Sequence, residues 1–230
     1  VVTIAREKGR PSCLYILADV LLQLRTLLFW AVSVGIVTQV KLFPSCLLYV
    51  EAAGGGTVHV DGFISEVVTT VKAMSGTFAP NPRNGGKPMM VLNSKNGQIH
   101  VLENPDDESP ESLQILDINR HLCTNGERGL HTVVAHPDFG RTNLYLYAFY
   151  TKFREECLED ATDGPANVVD RFTMDATTLM VDYESRVEIW SSGPMYKRLH
   201  NGGAMVFGNE RPRPLLYITT GDAGERDWSQ

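Results

Sequence analysis

From residue 88 to the end of the sequence, short apolar runs alternate with polar or glycine-rich turns, and this alternation is the feature that most constrains the fold. The runs are rich in β-branched and aromatic residues and keep no helical repeat, so they predict strands. Strands at such short intervals indicate a sandwich, a barrel or a propeller. Blades of roughly 40 to 45 residues would fit about three times into this region. The predicted strands include HTVVAHP, NLYLYAFYTK, NVVDRFTM, RVEIWSS, GGAMVFG and LLYITTGD.

Residues 51–87 form a second region, which we interpret as a linker that carries one strand. EVVTTV at residues 66–71 predicts the strand, and the Gly- and Pro-rich stretch SGTFAPNPRNGGKP predicts a loop. Two apolar runs then flank SKNG and predict a hairpin in which Asn96 and Gly97 adopt positive φ angles. The expected organisation is therefore residues 1–50, 51–87 and 88–230.

The first 50 residues are apolar and differ from the rest. Their longest charge-free run, Thr26 to Val40, has 15 residues, fewer than the ~20 that span a bilayer comfortably. Arg25 precedes this run and the small residues of EAAGGG follow it, as in a secretory signal or a membrane anchor; a buried helix is the alternative. We therefore expect a secreted or membrane-anchored extracellular protein. The sequence starts at Val1 and stops soon after a strand and turn, so we also expect a fragment of a longer chain.

Composition and missing motifs exclude several functions. The chain has 27 acidic and 21 basic residues, and it lacks the clustered basic face that a nucleic-acid partner needs. It also lacks G-x-S-x-G, G-x-G-x-x-G, P-loop and H-E-x-x-H motifs. His121, His131 and His136 are spaced so that no shared metal site is predicted. Cys123 and Cys157 either form a disulfide, if the protein is exported, or remain two buried free thiols.

His200 is the candidate for chemistry because it precedes a turn that lets other groups approach closely. Asn201 and Gly202 follow it, and the glycines of this turn carry no β-carbon that would block a ligand or a neighbouring backbone. A histidine can titrate near neutral pH and take a proton from a hydroxyl. The alternative is an ordinary turn histidine, since His-Asn-Gly also suits a simple connection between strands.

Five sequence blocks occur in an order that resembles the glucose/sorbosone dehydrogenase family, the soluble quinoprotein sugar dehydrogenases. The blocks are NGERGLHTVVAHPDF, NLYLYAFYT, VVDRF, HNGGAMVFG and LLYITTGDAG, and the resemblance covers residues 88–230. It implies the first three blades or so of a six-bladed β-propeller. It also implies pyrroloquinoline quinone (PQQ) and calcium as cofactors, with the calcium ligands beyond residue 230, a sugar as substrate and a separate electron acceptor.

The resemblance assigns roles to individual residues. His200 matches the general base that removes the proton of the anomeric hydroxyl while hydride passes to the quinone, and the Asn201–Gly202 turn would contact the cofactor. Glu127 matches a polar position near the sugar, and Asp222 and Asp227 follow the rim on the substrate side. A histidine suits this role, because deprotonation of a hydroxyl eases hydride loss from its carbon.

Two observations keep a second function open. Some members of the family carry an aspartate directly before the catalytic histidine, where this sequence has Leu199. The same blocks also resemble hedgehog-interacting-protein-like propellers, in which the scaffold binds a protein ligand. The sequence therefore predicts a PQQ-dependent sugar dehydrogenase, with a non-catalytic extracellular binding module as the alternative.

Overall fold

The computed structural model describes residues 2–7, 63–107, 109–154, 156–157, 164–195, 197–210 and 212–222. The chain divides into two compact units, Thr3–Val67 and Val68–Gln230 with Val1–Val2. Strands β1 (Val2–Glu7) and β2 (Phe63–Thr69) pair into a two-stranded sheet. Residues 8–50, which make up most of the expected signal or anchor, lie outside the described residues. Within the described ranges, no helix is long and apolar enough to cross a bilayer.

The larger unit contains three antiparallel sheets, in each of which consecutive strands are neighbours. Two sheets have four strands and the third has two. The first consists of β3 (Ser75–Pro80), β4 (Pro88–Asn93), β5 (Gln98–Leu102) and β6 (Ser112–Asp117); the second of β7 (Leu130–Ala135), β8 (Tyr145–Lys152), β9 (Ala166–Thr173) and β10 (Val187–Pro194); the third of β11 (Gly202–Phe207) and β12 (Leu216–Thr220).

Successive sheets meet at their first strands. Strand β7 packs against β3 and β4 of the sheet before it and against β11 of the sheet after it. Four-stranded antiparallel sheets that adjoin through their first strands are propeller blades. The predicted all-β fold, a partial propeller, is confirmed: the described residues form two blades and two strands of a third. The blades begin at residues 75, 130 and 202, so they are longer than expected because the connections between their strands are long.

The core lies between the first two blades and is formed by side chains that the strand pattern directs inward. Strands β4 and β9 are buried on both faces, which explains why the sequence of β4 is a nearly continuous apolar run and why β9 does not alternate between apolar and polar residues. A smaller cluster of Phe149, Val169 and Met205 joins the second blade to the third. These contacts fix the positions of β7 and β11, the strands that lead out of the candidate site.

Two expectations about local structure need correction, and one strand was not expected. The stretch predicted as a loop begins with β3, because its residues alternate in burial and pair with β4 from Ser75 opposite Asn93 to Pro80 opposite Pro88. Strand β6 had no prediction. The hairpin between β4 and β5 is confirmed, but of its two expected positive φ angles only that of Gly97 is present, so the connection is longer than a two-residue turn.

Cys123 and Cys157 form a disulfide, which decides between the two alternatives left by the sequence. Their Cα atoms lie 5.6 Å apart, and the bond joins positions 34 residues apart in sequence. Cys123 is buried where the segment after β6 turns towards β7, and Cys157 follows β8. The bond therefore ties the connection after β8 to the entry of the second blade.

Replacement of both Cys123 and Cys157 by serine should lower the free energy of unfolding by about 3–4 kcal/mol, because the unfolded chain regains the entropy of a 34-residue loop. Denaturant titration measures this loss. A reducing agent should destabilise the wild-type protein by a similar amount and leave the double variant unchanged. A wild-type transition that does not respond to reduction would contradict the assignment of the bond.

Candidate functional site

A cleft opens where the first strands of three successive blades begin. Its volume is about 320 Å³, and it is lined by residues that precede or start these strands. Met74 lies just before β3, Glu127 lies just before β7, and Asn201 lies just before β11. Lys95 reaches the same cleft from the β4–β5 hairpin. Loops that a rigid sheet positions in this way are the usual location of binding and catalytic residues.

His200 lies beside this cleft in an uncommon backbone conformation, with φ at +56°. Its backbone N–H donates a hydrogen bond to Glu127 Oε2 at 2.5 Å. Its ring Nδ1 lies 2.8 Å from Asp222 Oδ1, and its side chain is 59% exposed. When Asp222 accepts the Nδ1–H, Nε2 is the ring nitrogen that can take a proton. The imidazole of His200 is therefore both held in one orientation and accessible from solvent.

Glycine backbone brings His200 and Asp222 together. Gly202 has a φ of +69°, and a β-carbon there would lie 2.5 Å from the backbone nitrogen of Gly221. The start of β11 can therefore approach the end of β12, and the Gly221 N–H donates to the carbonyl oxygen of Asn201. Because Asp222 follows directly, this close approach places its carboxylate at the imidazole of His200.

Asn201 is buried at the base of the cleft, with 1% of its surface exposed. Its Nδ2 donates to the carbonyl oxygen of Arg198, and its own carbonyl oxygen accepts from Asn167 Nδ2. Asn201 Oδ1 has no hydrogen-bond partner among the described residues. A buried amide oxygen without a donor is costly, so a bound group that carries an N–H or O–H would stabilise this position.

The structure groups most of the residues that the sequence selected. His200 is hydrogen-bonded to Glu127 through its backbone N–H and to Asp222 through its ring, and Asn201 and Gly202 line the adjoining cleft. Asp222 was expected on the substrate side, whereas its carboxylate contacts the imidazole. Asp227, the other expected substrate-side residue, lies outside the described residues. The roles of these side chains remain predictions.

Sequence reasoning missed Lys95 and His131, which line the same cleft. His131 lies at the start of β7, where its ring packs edge-on against Phe149. Burial lowers the pKa of His131, the nearby Lys95 lowers it further, and Glu127 opposes the shift. Burial and Lys95 thus favour the neutral form of the His131 imidazole. Its position directly after the ERGL block, at the start of a predicted strand, could have identified it.

The fold and the site together describe a class of protein: an all-β assembly of propeller blades with an oriented histidine beside a cleft. The sequence profile described as Glucose / Sorbosone dehydrogenase matches residues 79–230, about two thirds of the chain. The chain belongs to this family, and its fold is that of a sugar-dehydrogenase-type propeller. A search among curated proteins found no significant match.

Acidification should destabilise the protein through His131. Because its pKa is lower in the folded state than the ordinary value of 6.5, the unfolded chain binds the proton more tightly. The free energy of unfolding should therefore fall as the pH drops below about 6.5. Denaturant titrations between pH 8 and pH 5 measure this slope.

The variant His131→Gln should show a shallower slope, which separates His131 from His100, whose pKa burial also lowers. An NMR titration of the ring protons provides the direct check. An imidazole of His131 that titrates at or above 6.5 in the folded protein would contradict the prediction.

Proposed function

We propose that this chain is the histidine-bearing part of a PQQ-dependent sugar dehydrogenase, which oxidises an aldose or a related sugar at its anomeric carbon. The observation that supports this proposal most is the 2.8 Å contact between His200 Nδ1 and Asp222 Oδ1 beside the cleft. A histidine held by a carboxylate in this way is suited to accept a proton at its other nitrogen.

In this proposal Nε2 of His200 takes the proton of the anomeric hydroxyl. Removal of that proton raises electron density on the carbinol carbon and eases the departure of its hydride. When bound, the quinone supplies a two-electron acceptor for that hydride. The task of the chain is therefore to hold the imidazole of His200 in a fixed orientation at one edge of the cleft.

Asp222 would stabilise the imidazolium that His200 becomes, and Glu127 holds the backbone of the same residue. Asp222 accepts the Nδ1–H of the ring, and Glu127 accepts the backbone N–H of the same residue. Asp222 can thus replace the aspartate that some members of the family place before the histidine, where this chain has Leu199.

When bound, one edge of the quinone, a tricarboxylate, would enter the cleft. Lys95 offers an ammonium group for one carboxylate, and the unpartnered Oδ1 of Asn201 offers an acceptor for an N–H. Asn201, Gly202 and Lys95 would therefore hold this edge. The remaining carboxylates need further cationic residues, which we expect, like the calcium ligands, beyond residue 230. Among the described residues, no group of three His, Cys, Asp or Glu side chains converges as a metal site.

The proposal extends to cellular location and partners. Disulfides persist in oxidising compartments, so the bond between Cys123 and Cys157 supports export of the chain, either secreted or held by a membrane anchor. A separate electron acceptor must reoxidise the cofactor. With an acidic sequence of net charge −6, we propose no nucleic-acid partner.

Replacement of His200 by alanine should lower kcat for sugar oxidation by about 10²- to 10⁴-fold, the usual contribution of a general base. The assay uses the full-length protein reconstituted with PQQ and calcium, a panel of aldoses and dye reduction as the readout. His100→Ala is the matched control, because His100 lies on β5 and contacts Ser112 rather than the cleft. Equal activity of both variants would overturn the role of His200.

Replacement of Asp222 by asparagine should lower kcat by about 10²-fold and shift its pH profile, because an amide neither orients the imidazole nor stabilises its positive charge as a carboxylate does. Asp107→Asn, in the exposed acidic loop after β5, is the matched control. If the folded wild-type protein binds no quinone, as measured by titration calorimetry, the dehydrogenase proposal fails and the protein-binding propeller takes its place.

A further inference from the structure

Arg128 is fully buried one position after Glu127, and it is the largest fully buried side chain among the residues that the structure describes. Its guanidinium group donates hydrogen bonds to backbone carbonyl oxygens of two separate segments. Nη1 donates to Cys157 O at 2.8 Å, and Nη2 donates to Met195 O at 3.2 Å and to Lys197 O at 3.0 Å. Met195 and Lys197 belong to the connection between β10 and β11, which also contains His200.

An arginine suits this position because of its shape. The guanidinium is planar, always charged and carries five N–H groups in a fixed fork, so that a single side chain can bind several carbonyl oxygens at once. Lysine carries a single nitrogen on a flexible stem and cannot reproduce this fork. Burial of a charge is costly, and the carbonyl dipoles around Arg128 offset that cost only while the loop stays in place.

The turn that carries Arg128 holds the same loop through its backbone. The Glu127 N–H donates to Arg198 O at 2.9 Å, two residues before His200. Gly126 packs directly against Arg198: with φ at +64°, a β-carbon there would lie 2.7 Å from Arg198 O. Together with the bond from the His200 N–H to Glu127, these contacts attach the loop to the turn at successive points.

We propose that Arg128 is a positioning residue for His200: by holding the Met195 and Lys197 carbonyls, its guanidinium fixes the loop that presents the imidazole to Asp222 and to the cleft. The consequence for catalysis rests on the function proposed above, whereas the effect on the loop does not. The disulfide takes part, because it fixes Cys157, whose carbonyl oxygen also accepts from Asn125 Nδ2 at 2.8 Å.

Amide hydrogen exchange in the cofactor-free full-length protein tests the positioning. Arg128→Lys keeps the charge and loses the fork, so exchange at residues 197–201 should accelerate about tenfold or more, the factor expected from one lost charge-assisted hydrogen bond. Exchange in β4 and β9 should stay as in wild type. Arg186→Lys is the matched control: Arg186 is a half-buried arginine that pairs with Asp170 and makes no contact with this loop among those described.

The outcomes separate clearly. Unchanged exchange at residues 197–201 in Arg128→Lys, or an equal rise in Arg186→Lys, would overturn the proposal. If the lysine variant does not fold, Arg128→Gln, which keeps one neutral amide donor, replaces it with the same criterion. An acceleration confined to residues 197–201 supports the proposal even if the wild-type protein oxidises no sugar.

The activity measurement tests the catalytic consequence in the PQQ-loaded protein. Displacement of a base by about 1 Å can cost on the order of 10²-fold in rate, so kcat should fall by that order in Arg128→Lys while KM changes little. The pH profile should shift as well, because the contact between His200 and Asp222 loosens. A variant with faster loop exchange and wild-type kcat would show that Arg128 stabilises the loop without positioning the base.

Discussion

The close approach of β11 to the end of β12 is the constraint on which the site depends. At Gly202 the two backbones lie so near that a β-carbon would collide with the nitrogen of Gly221. This contact determines that His200 and Asp222 face each other. In propellers the first strands of the blades are fixed by packing, here by Phe149, Val169 and Met205. The contact between His200 and Asp222 thus depends on the backbone geometry at Gly202 and on the burial of apolar side chains elsewhere in the blades.

The sequence predicted the strands well where they are buried on one or both faces, as in β8 and β9, because β-branched and aromatic runs there have no other stable arrangement. It failed at β3, whose Gly- and Pro-rich composition is typical of a loop. That strand exists because β4 offers a partner along its whole length, from Asn93 to Pro88, and a tertiary partner outweighs local preference. Asn96 illustrates the same limit: its φ depends on how long the connection is, and neighbouring residues alone do not determine that length.

For the site, the sequence selected His200, Glu127 and the Asn201–Gly202 turn, which the structure brings together. It could not have paired Asp222 with the imidazole, because 22 residues separate them and the contact requires the register of β11 and β12. Lys95 and His131 escaped notice for a related reason. Lys95 belongs to no motif, the block that contains His131 gave it no role, and each enters the cleft because successive blades begin at the same end. Arg128, by contrast, stood beside Glu127 in the sequence, yet only its complete burial shows that it binds carbonyl oxygens instead of solvent.

The left-handed backbone of His200 has a consequence for how this position can change. A residue with a β-carbon at a φ of +56° carries a steric cost that glycine does not, so the native residue is not the one that would make the loop most stable. Stability alone would favour glycine here, whereas the proton transfer that we propose for His200 requires an imidazole. A histidine at this φ angle is therefore an example of the trade-off between stability and function. If a related chain did not perform the proposed proton transfer, we would expect His200 to be among the first residues to be replaced.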